Sequence, residues 1–380
     1  MSRAEIVVDV AAIRHNVRRL REFVGVPVMS VVKADAYGHG LLEAARAARE
    51  AGATWLGVAS LDEALALRAG GDTGPVLAWL ITPGEEWAPA IAAGIDVTAY
   101  SVADLDAIDA TGLTARVQLK IDTGLSRGGA AMADWPAVVA RAVTGERAGR
   151  WRVTGIWSHF SSSEVPDDPA NEEQEKVFRE ALDIAAEAGL RPEVRHLANS
   201  AGALLRPSSR FDLVRFGIAM YGLEPAPGRM PAGLGLIPAM TVRATLALVK
   251  EIETGAGVSY NHTWTAPGPT TVGLVPAGYG DGILRAAGNR AEVAVGGVRA
   301  PIRGTICMDQ FVVEVPVTAE PGNEVLLWGP GGHGEPSADD WARASGTISY
   351  EIVTRIGGRL TRRHVDSGVD RAQTEGKSSQ

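Results

Sequence analysis

The sequence predicts an α/β protein, an N-terminal (β/α)8 TIM-like barrel followed by a mostly β C-terminal domain. Three observations carry that reading. Short apolar runs alternate with helix-like segments through the first two thirds of the chain, and eight such runs can be counted. Most of these runs are continuously apolar instead of alternating, as expected for strands buried on both faces. Near residue 240 the long helical periods stop, and strand-like runs separated by Gly and Pro take over.

Taken in order, residues 6–10 form a first strand and residues 11–23 a helix. Five residues make no stable sheet alone, so this strand, within residues 3–10, is expected to join the C-terminal β domain. The barrel is expected over residues 9–238. Its strands are read at 28–33, 55–60, 76–80, 95–100, 115–120, 153–158, 194–197 and 213–216. The intervening segments, such as the alanine-rich 41–50 and the amphipathic 171–188, read as crossover helices. An open doubly wound sheet is the alternative, but no Gly-x-Gly-x-x-Gly fingerprint follows an early strand. The β domain is expected over residues 239–365, with runs at 241–252, 270–276, 291–298, 311–315 and 325–328 and a closing helix within 348–360. Residues 366–380 hold little apolar mass beyond Val369 and Ala372 and read as a disordered tail.

Composition narrows the function. The chain is 46% hydrophobic and 22% charged, enough apolar mass for a sizeable core. Its net charge is −8 and no basic face stands out, which sets nucleic acid aside. Cys307 is the one cysteine, so no intramolecular disulfide forms and a reducing, cytoplasmic setting is expected. No signal-peptide layout follows Met1, and charges interrupt the apolar segments well short of a membrane span. The seven histidines show no His-x-x-x-His pair, so no metal site is read.

In such barrels the chemistry sits where the strands end. Lys33 ends the first strand, and a lysine there is unfavourable unless its amine is used. A partly desolvated lysine loses its proton more easily and becomes the nucleophile that Schiff-base chemistry needs; the alternative is a side chain that snorkels to water. Tyr37, four residues on, could donate to an anion. Arg127 follows the fifth strand and could clamp a carboxylate or sit in a surface ion pair. His159 ends the sixth strand and could stack on a ring, relay protons, or be a satisfied core histidine. Asn199 and Ser200 end the seventh, and Arg215, Gly217 and Ile218 the eighth. Ser200 begins a helix, where it is either a plain cap or part of the phosphate site that loops seven and eight often build. Arg215 would be a buried charge in need of an acceptor, a pyridine nitrogen or an internal carboxylate. Composition gives no role to Tyr260, to Tyr350 or to the glycine-rich turn at 276–282.

The string Val32-Lys33-Ala34-Asp35-Ala36-Tyr37-Gly38-His39-Gly40 resembles, almost verbatim, the pyridoxal-phosphate lysine motif of alanine racemases. Asp122-Thr123-Gly124-Leu125-Ser126-Arg127, His196-Leu197-Ala198-Asn199-Ser200, Val214-Arg215-Phe216-Gly217-Ile218, Val258-Ser259-Tyr260 and Cys307-Met308-Asp309-Gln310 follow in the order of that family. The resemblance spans residues 3 to 365. It implies a pyridoxal 5'-phosphate enzyme that racemises L- and D-alanine by two bases, supplying D-alanine for cell-wall peptidoglycan. Lys33 would hold the cofactor as a Schiff base, and Tyr37, Ser200, Gly217, Ile218 and Tyr350 would hold its phosphate, next to Asn199. Arg215 would meet the pyridine nitrogen, and His159 would lie behind the ring. Arg127 and the Met308 amide would contact the substrate carboxylate, and Tyr260 would be the second acid/base. The resemblance takes Tyr260 and Met308 from the other subunit of a head-to-tail homodimer with shared active sites. Lys120 matches a position that can be carbamylated; a plain pairing with Asp122 is the alternative. Where the family often reads Gly-Met-Gly-Arg this chain has Gly124-Leu125-Ser126-Arg127, which leaves substrate breadth open. The rival readings are a broader amino-acid or serine racemase, and a fold-type III pyridoxal-phosphate decarboxylase, which usually places a carboxylate where this chain has Arg215.

Overall fold

The computed structural model describes residues 3–368. Strand β1 (Ala4–Asp9) alternates buried and half-buried side chains, the signature of a strand covered on one face. Asp9 then caps the helix Val10–Val24 by accepting the Ala11 N–H, and Gly25 ends it in the left-handed conformation at φ +69°.

The barrel strands follow: β2 (Val28–Val31), β3 (Trp55–Val58), β4 (Val76–Ala78), β5 (Asp96–Ala99), β6 (Ala115–Lys120), β7 (Trp151–Trp157), β8 (Val194–His196) and β9 (Val214–Phe216). All pair in parallel, in the order β8-β7-β6-β5-β4-β3-β2-β9. The seam between β8 and β9 is bridged by the Arg215 N–H on the Ala198 carbonyl at 3.0 Å and the Asp212 N–H on the Arg195 carbonyl at 3.1 Å. The sheet thus nearly closes into the eight-stranded barrel that the alternation predicts. β2 to β5 are buried throughout, because helices cover them outside and side chains fill them inside. The strands end earlier than the apolar runs suggest: β2 stops at Val31, two residues before Lys33.

The second sheet is built from β10 (Met240–Thr245), β11 (Leu248–Ile252), β14 (Thr270–Val275), β15 (Glu292–Val295), β16 (Val298–Arg303), β17 (Phe311–Glu314), β18 (Glu324–Trp328) and β19 (Thr361–Val365), with β12 (Gly257–Val258) and β13 (Trp264–Thr265) as a separate two-stranded ribbon. Its order is β11-β14-β17-β16-β15-β18-β10-β1-β19, so the first strand of the chain sits between β10 and β19. The single apolar run at 241–252 is in fact two strands at distant places in this sheet. Leu246 and Ala247 turn the chain, donating to Asn323 and Leu274 respectively. The run at 291–298 is the first arm of a hairpin whose second arm, β16, continues to Arg303. The closing helix covers Ser349–Arg355. A further helix, Ala338–Ser345, starts at a capping box of Ser337 and Asp340, a Ser-x-x-Asp signal visible in the sequence. Of the expected tail, Asp366 pairs with Arg14 at 2.5 Å and Ser367 donates to Asp9, while residues 369–380 lie outside the described residues. No helix among the described residues is long and apolar enough to cross a membrane.

Candidate active site

The loop that carries Lys33 is built against local preference. Ala34, Asp35, Ala36 and Tyr37 all hold φ between +53° and +55°, one full left-handed turn of non-glycine residues. Residues other than Gly, Asn and Asp seldom visit this region, and each such visit costs roughly 1–2 kcal/mol. Nothing in those residue types announces the turn; external bonds impose it. The Glu63 carboxylate accepts the Ala34 N–H at 2.6 Å and, through its other oxygen, the Ala59 N–H at 2.8 Å. Asp35 accepts the Leu41 N–H at 2.8 Å and pairs with Arg362 of β19 at 2.6 Å. Gly38 at φ +80° lies flat under the Val353 carbonyl, into which a Cβ would run. A barrel helix through Glu63 and the C-terminal region through Val353 and Arg362 therefore hold the turn.

Above it opens a cavity of about 610 Å3. Its wall brings together Lys33, Tyr37, Lys120, Arg127, His159, Asn199, Ser200, Arg215, Gly217, Ile218 and Tyr350. Tyr260 and Met308 do not line it; they stand 68% and 54% exposed elsewhere on the chain. The sequence reading missed Trp79 and Trp157, large aromatic residues at or beside the ends of β4 and β7, which form two sides of the cavity. It also missed Glu63 and His196, whose work is done behind the wall.

One corner suits a phosphate. The Ser200 hydroxyl accepts the Gly217 N–H at 3.1 Å. Asn199, not Ser200, caps the helix Ser200–Leu205, with its side chain accepting the Gly202 N–H at 3.0 Å. Ser200 and Ile218 line the cavity together with Tyr37. The Tyr37 hydroxyl stands so close to Gly217 that a Cβ there would collide with it. The Tyr37 and Tyr350 rings meet at 6.1 Å. Burial raises both phenols, which stay protonated donors.

The opposite end gathers cations that no carboxylate pairs with directly. Among the described residues Lys33, Lys120, Arg127 and Arg215 form no ion pair. Arg215 is 4% exposed and donates only to neutral groups: the Ser158 carbonyl at 2.8 Å, the Leu197 carbonyl at 3.0 Å, His159 Nδ1 at 3.0 Å and His196 Nδ1 at 2.9 Å. Burial pulls it down to about 9. A guanidinium on Nδ1 leaves each histidine its Nε2–H, and His196 donates that N–H to the Gln118 side-chain carbonyl oxygen at 2.8 Å. Burial first, then the Arg215 charge, holds both histidines well below the usual imidazole range. Lys33 is lowered by burial and by Arg127, with Glu63 opposing. Lys120 is lowered to about 8 by burial, then by Arg127 and Arg215. Its ammonium sits 4.7 Å from the Trp157 ring and 5.2 Å from Tyr100, so ring faces stand where a counter-ion would. The pairing of Lys120 with Asp122 is not made. Asp122 instead accepts the N–H groups of Gly124, Ser126 and Arg127 at 2.9 to 3.1 Å, tying its own loop. Within that loop Ser126 holds φ +56°, a conformation glycine adopts without strain.

Comparison with known proteins agrees across the chain. The family model described as alanine racemase, N-terminal domain, matches residues 8–225, and that described as alanine racemase, C-terminal domain, matches residues 239–364. The alanine racemase of Salinispora arenicola is 51% identical over 96% of this chain and 99% of its own length. That of Frankia casuarinae is 53% identical over 94% and 95%. The crystal structure of alanine racemase from Streptomyces lavendulae superposes with a TM-score of 0.94 at 49% identity, covering 96% of this chain and 97% of the other. The fold is shared along nearly the whole length, and the chain belongs to the alanine racemase family.

Proposed function

We propose that this chain racemises alanine, interconverting the L and D enantiomers, with pyridoxal 5'-phosphate as cofactor and Lys33 as its anchor. The single observation that carries the reading is the cavity itself. It joins a desolvated lysine, a buried uncompensated arginine and a corner of hydroxyl and amide donors in one space of about 610 Å3. This donor set fits the cofactor. Arg215, deep and without a carboxylate, would face a ring nitrogen as donor. Ser200, Gly217, Ile218, Tyr37 and Tyr350 would take the phosphate, beside Asn199.

Bound there, the cofactor would supply an electron-withdrawing ring that acidifies the alanine Cα–H. The chain's own groups do the rest. Burial keeps the Lys33 amine able to take a proton from one face of that carbon and return it. A second base must stand on the other face; Tyr260 of a second copy would fill that place, with Met308 beside it. Their exposure suits a residue that a neighbour covers. Arg127 would hold the substrate carboxylate. The neutral fraction that burial gives Lys120 is the form that adds carbon dioxide, so a carbamate there would orient Arg127. Trp79 and Trp157 exclude water from the reacting side.

We further read the chain as a barrel over residues 9–238 and a β domain over 239–365 with strand 3–10, working in the cytoplasm to supply D-alanine for peptidoglycan. The single thiol favours a reducing compartment. The test is mass spectrometry of borohydride-reduced protein beside a chiral assay on alanine. A cofactor adduct on the Lys33 peptide with interconversion of both enantiomers is expected. Decarboxylation products, or no adduct, would overturn the reading.

A further inference from the structure

We propose that His39 is a positioning residue for the cofactor site: its ring N–H locks the left-handed turn at 34–37 and thereby sets Lys33 and Tyr37 against each other. The inference rests on the proposed role of Lys33. His39 is wholly buried, one residue beyond Gly38. Its Nδ1 lies 3.0 Å from the Ala36 carbonyl oxygen and 2.9 Å from that of Tyr37. Two acceptors at one nitrogen require a proton there, so the neutral ring carries its N–H on Nδ1. That one donor serves the last two residues of the strained turn.

The other nitrogen, Nε2, is buried with no partner among the described residues. The residue borders a void of about 10 Å3 that Trp328 and Ser337 also line. The ring's polar work is therefore directed to the turn alone. Its face stacks on Tyr221, centroids 4.3 Å apart, and Tyr221 in turn lies 5.1 Å from the Tyr37 ring and donates to the Val31 carbonyl at 3.0 Å. Val31 ends β2, and Tyr37 closes the turn. His39 thus touches the segment before Lys33 through Tyr221 and the segment after it through its own N–H. Burial lowers His39 to about 4, so the neutral donor persists across the physiological range.

Three variants separate the donor from the ring. His39→Asn places an amide N–H at the Nδ1 position and removes the stacking ring. His39→Gln reaches the Nε2 position instead. His39→Phe keeps the ring and removes the donor. Each is purified without cofactor, its fold checked by circular dichroism, and titrated with pyridoxal phosphate by absorbance. We expect His39→Phe and His39→Gln to bind the cofactor roughly tenfold more weakly, with a shifted visible spectrum, and His39→Asn to stay within about threefold of the parent. Parent-like affinity and spectrum in folded His39→Phe, or in His39→Gln should the former not fold, would overturn the inference. So would an Asn variant as weak as the Gln variant. Parent protein that retains no reducible cofactor on Lys33 would instead bring down the reading of the lysine, and this inference with it.

Discussion

Two buried charges, one in each sheet, are treated in opposite ways. Asp281 lies 0% exposed in the second sheet's glycine-rich turn. It is met by Arg359 at 2.9 and 3.0 Å, by Arg3 at 3.3 Å and by the Gly278 N–H at 3.0 Å. Arg215 is nearly as buried in the barrel, yet receives only carbonyls and imidazoles. A charge met by opposite charges is structure; a charge left with neutral partners is held for something that has yet to arrive. The turn at 276–282 belongs to the first kind: it also fixes the Met308 loop, through Tyr279 and Gly280 amides on the Cys307 and Met308 carbonyls at 3.0 and 2.9 Å.

Substitutions can break this contrast. The largest effect is expected at Lys33: Lys33→Ala should lower racemisation by about 10^4-fold and abolish cofactor retention, measured by the chiral assay and absorbance. Mixing that chain with inactive Tyr260→Phe chains should restore part of the activity through hybrid dimers; no recovery despite demonstrated subunit exchange would remove the shared site. Next, Arg215→Gln should cut kcat by about 10^2-fold with little loss of thermal stability. Asp281→Asn should do the reverse, lowering the thermal midpoint because the buried side chain gives up its charge-assisted bonds to Arg3 and Arg359, with a smaller loss of rate than Arg215→Gln. Equal behaviour of the two variants would erase the distinction.

A smaller effect concerns acid. His39 and His196 are fully buried and their imidazoles are held below the ordinary value of about 6.5. Below that value the unfolded chain binds protons that the folded chain refuses, so stability falls as pH falls, by at most about 1.4 kcal/mol per pH unit for each ring. For His39 the loss ends near its folded value of about 4. Urea midpoints of the cofactor-free protein between about pH 7.5 and about 4.5 measure this slope, and His39→Phe should flatten it. Smallest of all, Arg14→Ala removes surface pairs with Glu50 and Asp366 and should cost less than about 1 kcal/mol.

The barrel was legible because period and placement agree: apolar runs such as 55–60 and 76–80, buried at Trp55–Val58 and Val76–Ala78, read as covered strands, and the polar residues that follow them gather at one mouth. The second sheet was legible as β but not in its order, since nothing local in 241–252 says that its two halves pair with partners far apart in the sheet. At the site, Lys33, Arg127, His159, Ser200 and Arg215 carry unusual chemistry for strand ends and stood out, whereas Trp79 and Trp157, ordinary core types, did not. Glu63, His196 and the left-handed turn did not. Their significance lies in bonds to backbone groups and to other side chains, which only the folded arrangement creates.

The place of β1 bears on how the molecule is made. A ribosome delivers this strand before the barrel and its neighbour β19 after it. Residues 4–9 must wait, unpaired, until β10 emerges for the first ladder and β19 for the second. The turn under Lys33, tied to Arg362, is finished only then. A truncated nascent product would therefore carry its reactive lysine without the geometry to use it.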